Sequence, residues 1–252
     1  MKISKYIEYA YTKLKVCYKE RKYYKNGYEL KYILEKNNSE DLIIIFSSCT
    51  RPGIKARYNY NRTLQKVKAN KLFILDDFGD DKRGVFYLGC NNDFKIKKIT
   101  KDLIDKVIKE TKSKKITYVG SSKGGYAALL FGLQKENSNI IIGAPQYYLG
   151  DYLNRSDNMN TLVNIVGNVT QDKIDYLNEI LPRTIEDSKN NNVKLYIHFS
   201  SKEHTYEEHI RYLIDDLKRY KYEHKLEVLE YTNHSEVSIY FPKFLLNTIE
   251  SN

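Results

Sequence analysis

The sequence predicts an α/β fold: a three-layer sandwich on a mostly parallel sheet, with an antiparallel hairpin at its leading edge. Three features of the chain predict it. Short, nearly unbroken apolar runs recur along it, as strands buried on both faces require. Helical patterns separate the later runs, the alternation that builds βα units. Near the N-terminus, Asn26-Gly27 stands between two Tyr-rich stretches of alternating polarity, the strongest short signal for a two-residue hairpin turn.

In chain order, residues 1–20 match a helix, or a helix followed by a short strand, equally well. The hairpin occupies 21–36. Strands follow at 42–46 (LIIIF), 71–75 (KLFIL), 116–119 (ITYV), 140–142 (III), 193–199 (VKLYIHF) and 226–231 (LEVLEY). Helices are expected at 98–112, 123–135, 161–188 in one or two pieces, 206–220 and 236–249. With no internal repeat and no linker-like stretch, the 252 residues read as one domain. The polar stretch 154–172 marks an excursion above the sheet, so a lid is expected at about 150–190.

Composition bounds the function. The formal charge of +10 is scattered in short runs such as 95–98 and 112–115 rather than gathered, so a solvated surface is the plain reading and no nucleic-acid partner is expected. Cys17, Cys49 and Cys90 have neither metal-ligand spacing nor an even count, which fits a reducing compartment and predicts no metal site. His204 and His209 are five residues apart and fall on different faces of a helix, which argues against a shared metal. The first twenty residues lack the unbroken apolar stretch of a signal peptide, and no window is apolar enough to span a bilayer. A cytoplasmic protein is expected.

In open α/β sheets, ligands bind at the carboxyl ends of the strands. After the 116–119 run comes Gly120-Ser121-Ser122-Lys123-Gly124, which is G-x-S-x-G set between a strand and a helix. That spacing makes a nucleophile elbow: a tight turn holds Ser122 with its Oγ projecting, and glycines stand where a Cβ would crowd the turn. The helix N-terminus at Lys123 turns its N–H groups toward the same place, which suits a developing oxyanion. A Walker loop is excluded because Lys123 precedes the glycines.

An elbow serine needs an acid and then a histidine later in the chain. His234 follows the last strand by Thr232-Asn233 and is the candidate base. His198 lies within a strand and reads as a packed core or surface histidine rather than a catalytic one. Glu203, the one carboxylate in the 200–205 loop, is the candidate to accept the His234 Nδ1–H and fix its tautomer. The second oxyanion donor is expected from the loop 47–53, from the N–H of Cys49 or Thr50, paired with that of Lys123. Arg57, Tyr58 and Arg62 read either as substrate-binding groups for an anionic or sugar-bearing ligand or as a surface helix start. The stretches Asp76-Asp77-Phe78-Gly79 and Pro145-Gln146-Tyr147-Tyr148 also follow strands, as pocket walls without an assigned role.

The residues YVGSSKGGYAALLFG at 118–132, with Glu203 and His234 following in order, resemble the α/β-hydrolase superfamily across nearly the whole chain. The GSSKGG elbow with the upstream RYNYNR stretch is similar to bacterial hydrolase-like proteins of surface-polysaccharide and accessory-secretion systems, some of which are acyltransferases. The resemblance implies a serine esterase acting through a Ser-His-Glu triad and an acyl-enzyme, with no cofactor required. It leaves two alternatives: an O-acyltransferase on a bacterial surface glycan or glycoprotein, or a non-catalytic partner protein in a secretion or polysaccharide assembly. The implied partner is a small-molecule or glycan acyl ester, with a protein partner in surface assembly as a further expectation.

Overall fold

The structure, a computed structural model, describes residues 18–251. The ambiguous N-terminal segment and Cys17 lie outside the described residues.

An antiparallel pair opens the fold: β1 (Glu20–Lys25) and β2 (Tyr28–Glu35) flank Asn26-Gly27, and both turn residues have positive φ, as a type I′ turn needs. β2 then pairs antiparallel with β4 (Asn70–Leu75), while β3 (Asp41–Phe46) runs parallel between β4 and β5 (Lys115–Ser121). β6 (Asn139–Gly143), β7 (Lys194–Ser200) and β8 (Glu223–Leu229) extend the sheet in parallel, giving the order β1-β2-β4-β3-β5-β6-β7-β8. The chain therefore winds outward on one side of β3 and then on the other. The switch falls between β3 and β5, where open sheets form their ligand crevice.

Alternation along each strand assigns its side chains to a face. Leu42, Ile44 and Phe46 of β3 join the larger core, and Ile43 and Ile45 join the smaller one. The larger core packs under α1 (Lys95–Thr111), α2 (Lys123–Gly132) and helices further along the chain, α5 (Gln171–Asp187) and α6 (Arg211–Arg219). The smaller core is closed by α7 (Val237–Glu250) through Val237, Phe241 and Leu245, together with Leu64 and Ala69 of the segment between β3 and β4. Every residue of α2 is buried, which explains its small residues. Between β6 and α5 come the short helices α3 (Leu149–Leu153) and α4 (Met159–Val166), with Leu149, Leu153, Leu162 and Ile165 facing the larger core.

Two expectations shift. The last strand lies at Glu223–Leu229 rather than 226–231. Among the described residues it is an edge strand, paired with β7 alone from Lys194↔Glu223 to Ser200↔Leu229, so none of its residues is buried and its apolar run marks only part of it. The helix expected at 206–220 begins as a π-helical turn (Tyr206–Ile210) before α6, a feature that pattern alone does not reveal.

Candidate active site

Ser122 sits between β5 and α2 with φ 50° and ψ −124°, a conformation that costs a non-glycine residue of order 1–3 kcal/mol. The surroundings enforce it. The Ser122 N–H donates to the Gly143 carbonyl at 2.8 Å, and its own carbonyl accepts from Tyr126 N–H at 3.0 Å. A Cβ on Gly120 would collide with the Gly124 carbonyl and stand 2.8 Å from the Gly125 nitrogen, while one on Gly124 would come within 2.7 Å of the Phe46 carbonyl oxygen. The two glycines thus let the turn close on itself and on the end of β3.

The three residues gathered by sequence meet in one hydrogen-bonded line. Ser122 Oγ lies 2.9 Å from His234 Nε2, and His234 Nδ1 lies 3.0 Å from Glu203 Oε1. His234 opens the 3-10 turn His234–Glu236, which is held by a capping box between Asn233 and Glu236. Glu203 is 2% exposed. Burial pushes its carboxyl up, but the His234 hydrogen bond and charge, the Thr205 hydroxyl and His204 outweigh burial, and the net position is below the ordinary range. The carboxylate is therefore ionised, so it accepts from His234 Nδ1–H and leaves Nε2 to accept the Ser122 hydroxyl proton. His204 Nδ1 approaches the same Glu203 Oε1 at 3.0 Å.

The loop after β3, expected to carry an oxyanion donor, is narrowed by its own hydrogen bonds. Ser47 N–H donates to the Tyr87 hydroxyl at 2.7 Å and Ser48 N–H to Asn59 Oδ1 at 2.9 Å. The next N–H groups, those of Cys49 and Thr50, have no acceptor among the described residues, and neither has that of Lys123 at the start of α2. The loop is clipped to the elbow by Ser48 Oγ, which donates to the Ser121 carbonyl at 2.9 Å, and by the Tyr60 hydroxyl at 2.5 Å from Ser121 Oγ.

Sequence reasoning missed what lies beneath. Lys123 sends its side chain inward, where Nζ donates to Asp76 Oδ2 at 3.0 Å, the Asp76 carbonyl at 3.1 Å and the Arg83 carbonyl at 2.8 Å. Asp76 also accepts from the N–H groups of Val85 and Tyr87, and so shapes the loop after β4, in which Phe86 and Tyr87 have positive φ. Arg83 continues the chain: Nε donates to the Thr50 carbonyl at 2.9 Å and Nη2 to Cys49 Sγ at 3.2 Å. Lys123, whose own N–H is unpaired among the described residues, thereby braces through Arg83 the loop that carries the unpaired N–H groups of Cys49 and Thr50. The position of Asp76 at a strand end was legible, but its partner is 47 residues away.

The predicted substrate-binding stretch divides. The Tyr58 hydroxyl donates to Glu20 Oε2 at 2.9 Å, at the β1 edge of the sheet, and is committed there. Arg57 and Arg62 are exposed. Their neighbours Asn59 and Tyr60 hold the loop after β3 and the elbow. His198 is packed, as expected, against Tyr231 and Phe244, with Nδ1 2.6 Å from Glu227 Oε2.

His209, in the π-helical turn, is 1% exposed and stands edge-on to the Tyr152 ring at 5.8 Å. Burial lowers its pKa to about 4 from the ordinary 6.5; Glu208 and Glu203 oppose this, and Arg155 and His204 add to it. Between those values the unfolded chain binds the proton that the folded one refuses, so stability is full above pH 6.5 and falls as the pH drops to 4, by about 3 kcal/mol at most. Urea unfolding of the parent and His209→Gln across this window is expected to show a shallower decline for the variant; parallel declines would remove His209 as the source.

No protein-family model matches the chain, and no curated protein matches it in sequence. Solved structures do. The capsule O-acetyltransferase of Neisseria meningitidis serogroup A is 25% identical, with a TM-score of 0.78 over 92% of this chain and 94% of that one. A chain of the glycosylation-associated Gap123 complex from Streptococcus agalactiae is 18% identical, with a TM-score of 0.73 over 93% of this chain and 47% of that one. The fluorophosphonate-binding serine hydrolase FphF of Staphylococcus aureus is 16% identical, with a TM-score of 0.66 over 92% and 96%. On this likeness the chain is an enzyme of the α/β-hydrolase type, a hydrolase or acyltransferase by fold.

Proposed function

We propose that the protein is a serine acyl-transfer enzyme with Ser122 as nucleophile, His234 as base and Glu203 as the acid that fixes the imidazole. The observation that carries this is the line from Ser122 Oγ through His234 to Glu203, at 2.9 and 3.0 Å, standing at a strained elbow. Ser122 Oγ bonds the carbonyl carbon of an activated ester or thioester while its proton passes to His234 Nε2. The oxyanion rests on the N–H groups of Lys123 and of Cys49 or Thr50, each such donor being worth about a hundredfold or more in rate. Collapse expels the leaving group, which takes the proton back from His234. An acceptor O–H then attacks the acyl-enzyme, with His234 again as base.

For the acceptor, the likeness to a capsule O-acetyltransferase supports a hydroxyl of a surface glycan over water. In this reading the segment from α3 to α5 forms the wall and lid of the acceptor site. Action in the cytoplasm, before any export of the glycan, fits the free thiols of Cys49 and Cys90; no helix among the described residues is long and apolar enough to cross a membrane. The likeness to a chain of the Gap123 complex favours a second reading, in which the protein works as a component of an assembly.

One experiment separates the two. The purified protein is expected to be labelled by a fluorophosphonate probe and to turn over p-nitrophenyl acetate, and Ser122→Ala to do neither. Labelling that persists in the variant would move the nucleophile elsewhere, and an inert parent would favour the assembly component.

A further inference from the structure

Gln146, just beyond β6, is 0% exposed and touches the nucleophile: its Nε2 lies 3.1 Å from Ser122 Oγ. The hydrogen-bond logic of the site fixes which way the amide faces. Glu203 takes the His234 Nδ1–H, so Nε2 takes the Ser122 hydroxyl proton, and Oγ has only lone pairs left for Gln146. The amide must therefore present its NH2 to the serine. Its oxygen, Oε1, is buried and has no hydrogen-bond partner among the described residues. A buried carbonyl left in that state costs about 1–3 kcal/mol, and most such groups find a partner. This one shares a carbon with the nitrogen that holds the nucleophile, so the vacant acceptor stands beside the reacting centre.

Resting on the acyl-enzyme reading above, we propose that Gln146 Oε1 receives a second donor from the acyl acceptor, and that the acceptor is a vicinal diol of the kind found in sugars. The chemistry demands a second donor. The attacking hydroxyl has one proton, and that proton goes to His234 Nε2 as its oxygen bonds the acyl carbon; it is not available to Oε1. A neighbouring hydroxyl is. Acylation also turns Oγ into an ester oxygen, a poor acceptor, which releases the Gln146 amide to meet the incoming diol. As the tetrahedral intermediate collapses, the bond from Oγ to the acyl carbon breaks, the proton on His234 returns to Oγ, and the Gln146 NH2 regains its acceptor. The second hydroxyl keeps its proton throughout. Gln146 is thus a catalytic residue with two partners in turn, the nucleophile before acylation and the acceptor after it.

The test compares acceptors that differ only in the second donor. The acetyl-enzyme is generated from p-nitrophenyl acetate in the presence of ethylene glycol or its monomethyl ether, 2-methoxyethanol, and the acetyl esters formed are quantified. Each ratio is taken within one enzyme, so that changes in acylation rate cancel, and water, which also carries a second proton, is the common competitor. The parent is expected to favour the diol over the ether by about tenfold per hydroxyl. In Gln146→Met, which keeps the length of the side chain and loses the acceptor, the preference should fall to about twofold or less. A parent that fluorophosphonate labels but that transfers equally to diol and ether overturns this inference alone, without recourse to any variant. So does a Gln146→Met enzyme that retains the full preference. A parent that the probe leaves unlabelled overturns the acyl-enzyme reading and this inference together.

Discussion

Replacing Lys123 by methionine is expected to lower the stability of the fold by about 3–5 kcal/mol, the cost of leaving one member of a buried ion pair without its counterpart. Lys123 and Asp76 side chains are 1% and 0% exposed, so water cannot take over the solvation of the carboxylate. The change also strips a donor from the carbonyls of Asp76 and Arg83. In urea the midpoint should fall with little change in slope. Adding Asp76→Asn to the same chain should recover part of the loss, because removing both charges is cheaper than stranding one. A single variant within about 1 kcal/mol of the parent would mean that the pair does not brace the loop after β4. Whatever folds should also transfer acyl groups more slowly, since the Arg83 carbonyl held by Lys123 belongs to the residue that fixes Thr50 and Cys49.

His234→Ala and Glu203→Gln should each cost roughly a thousandfold to ten-thousandfold in kcat on p-nitrophenyl acetate. In the proposed reaction the first removes the group that accepts the Ser122 proton. The second leaves the side-chain volume unchanged but offers His234 Nδ1 an amide in place of an ionised acceptor, so the imidazole no longer holds the tautomer with Nε2 free. Because serine and base act as a unit, Ser122→Ala combined with His234→Ala should be little worse than either alone. Steady-state rates for the single and double variants test this. A His234→Ala enzyme that keeps a tenth of the parent rate would place the base elsewhere.

Much of this arrangement was legible in the chain because it depends on local pattern. The solid apolar runs of β3, β4 and β6 could be read as buried strands, and Gly120 and Gly124 around Ser122 could be read as an elbow, since steric crowding acts between near neighbours. Glu203 and His234 followed from the rule that chemistry gathers at strand ends. What escaped were directions of side chains set by distant partners. Lys123 was expected to serve through its backbone alone, yet its ammonium reaches Asp76, and Arg83 attracted no notice because nothing near it in sequence marks it. Tyr58 stands beside Asn59 and Tyr60, which hold the loop after β3 and the elbow, but its own hydroxyl points to Glu20. No periodicity distinguishes adjacent residues of an irregular segment, so that division belongs to the packing.

The backbone angle at Ser122 also bears on how chains of this fold diverge. A residue at φ 50° and ψ −124° is held against its own preference, and glycine would occupy the same turn with little strain. Selection for the reaction and selection for a firmer fold therefore pull in opposite directions at this one position. A descendant retained only as a scaffold would feel the second pressure without the first, and substitution there would make it more robust while ending its chemistry. Within such a lineage, a serine that persists at the turn is a record of continued use.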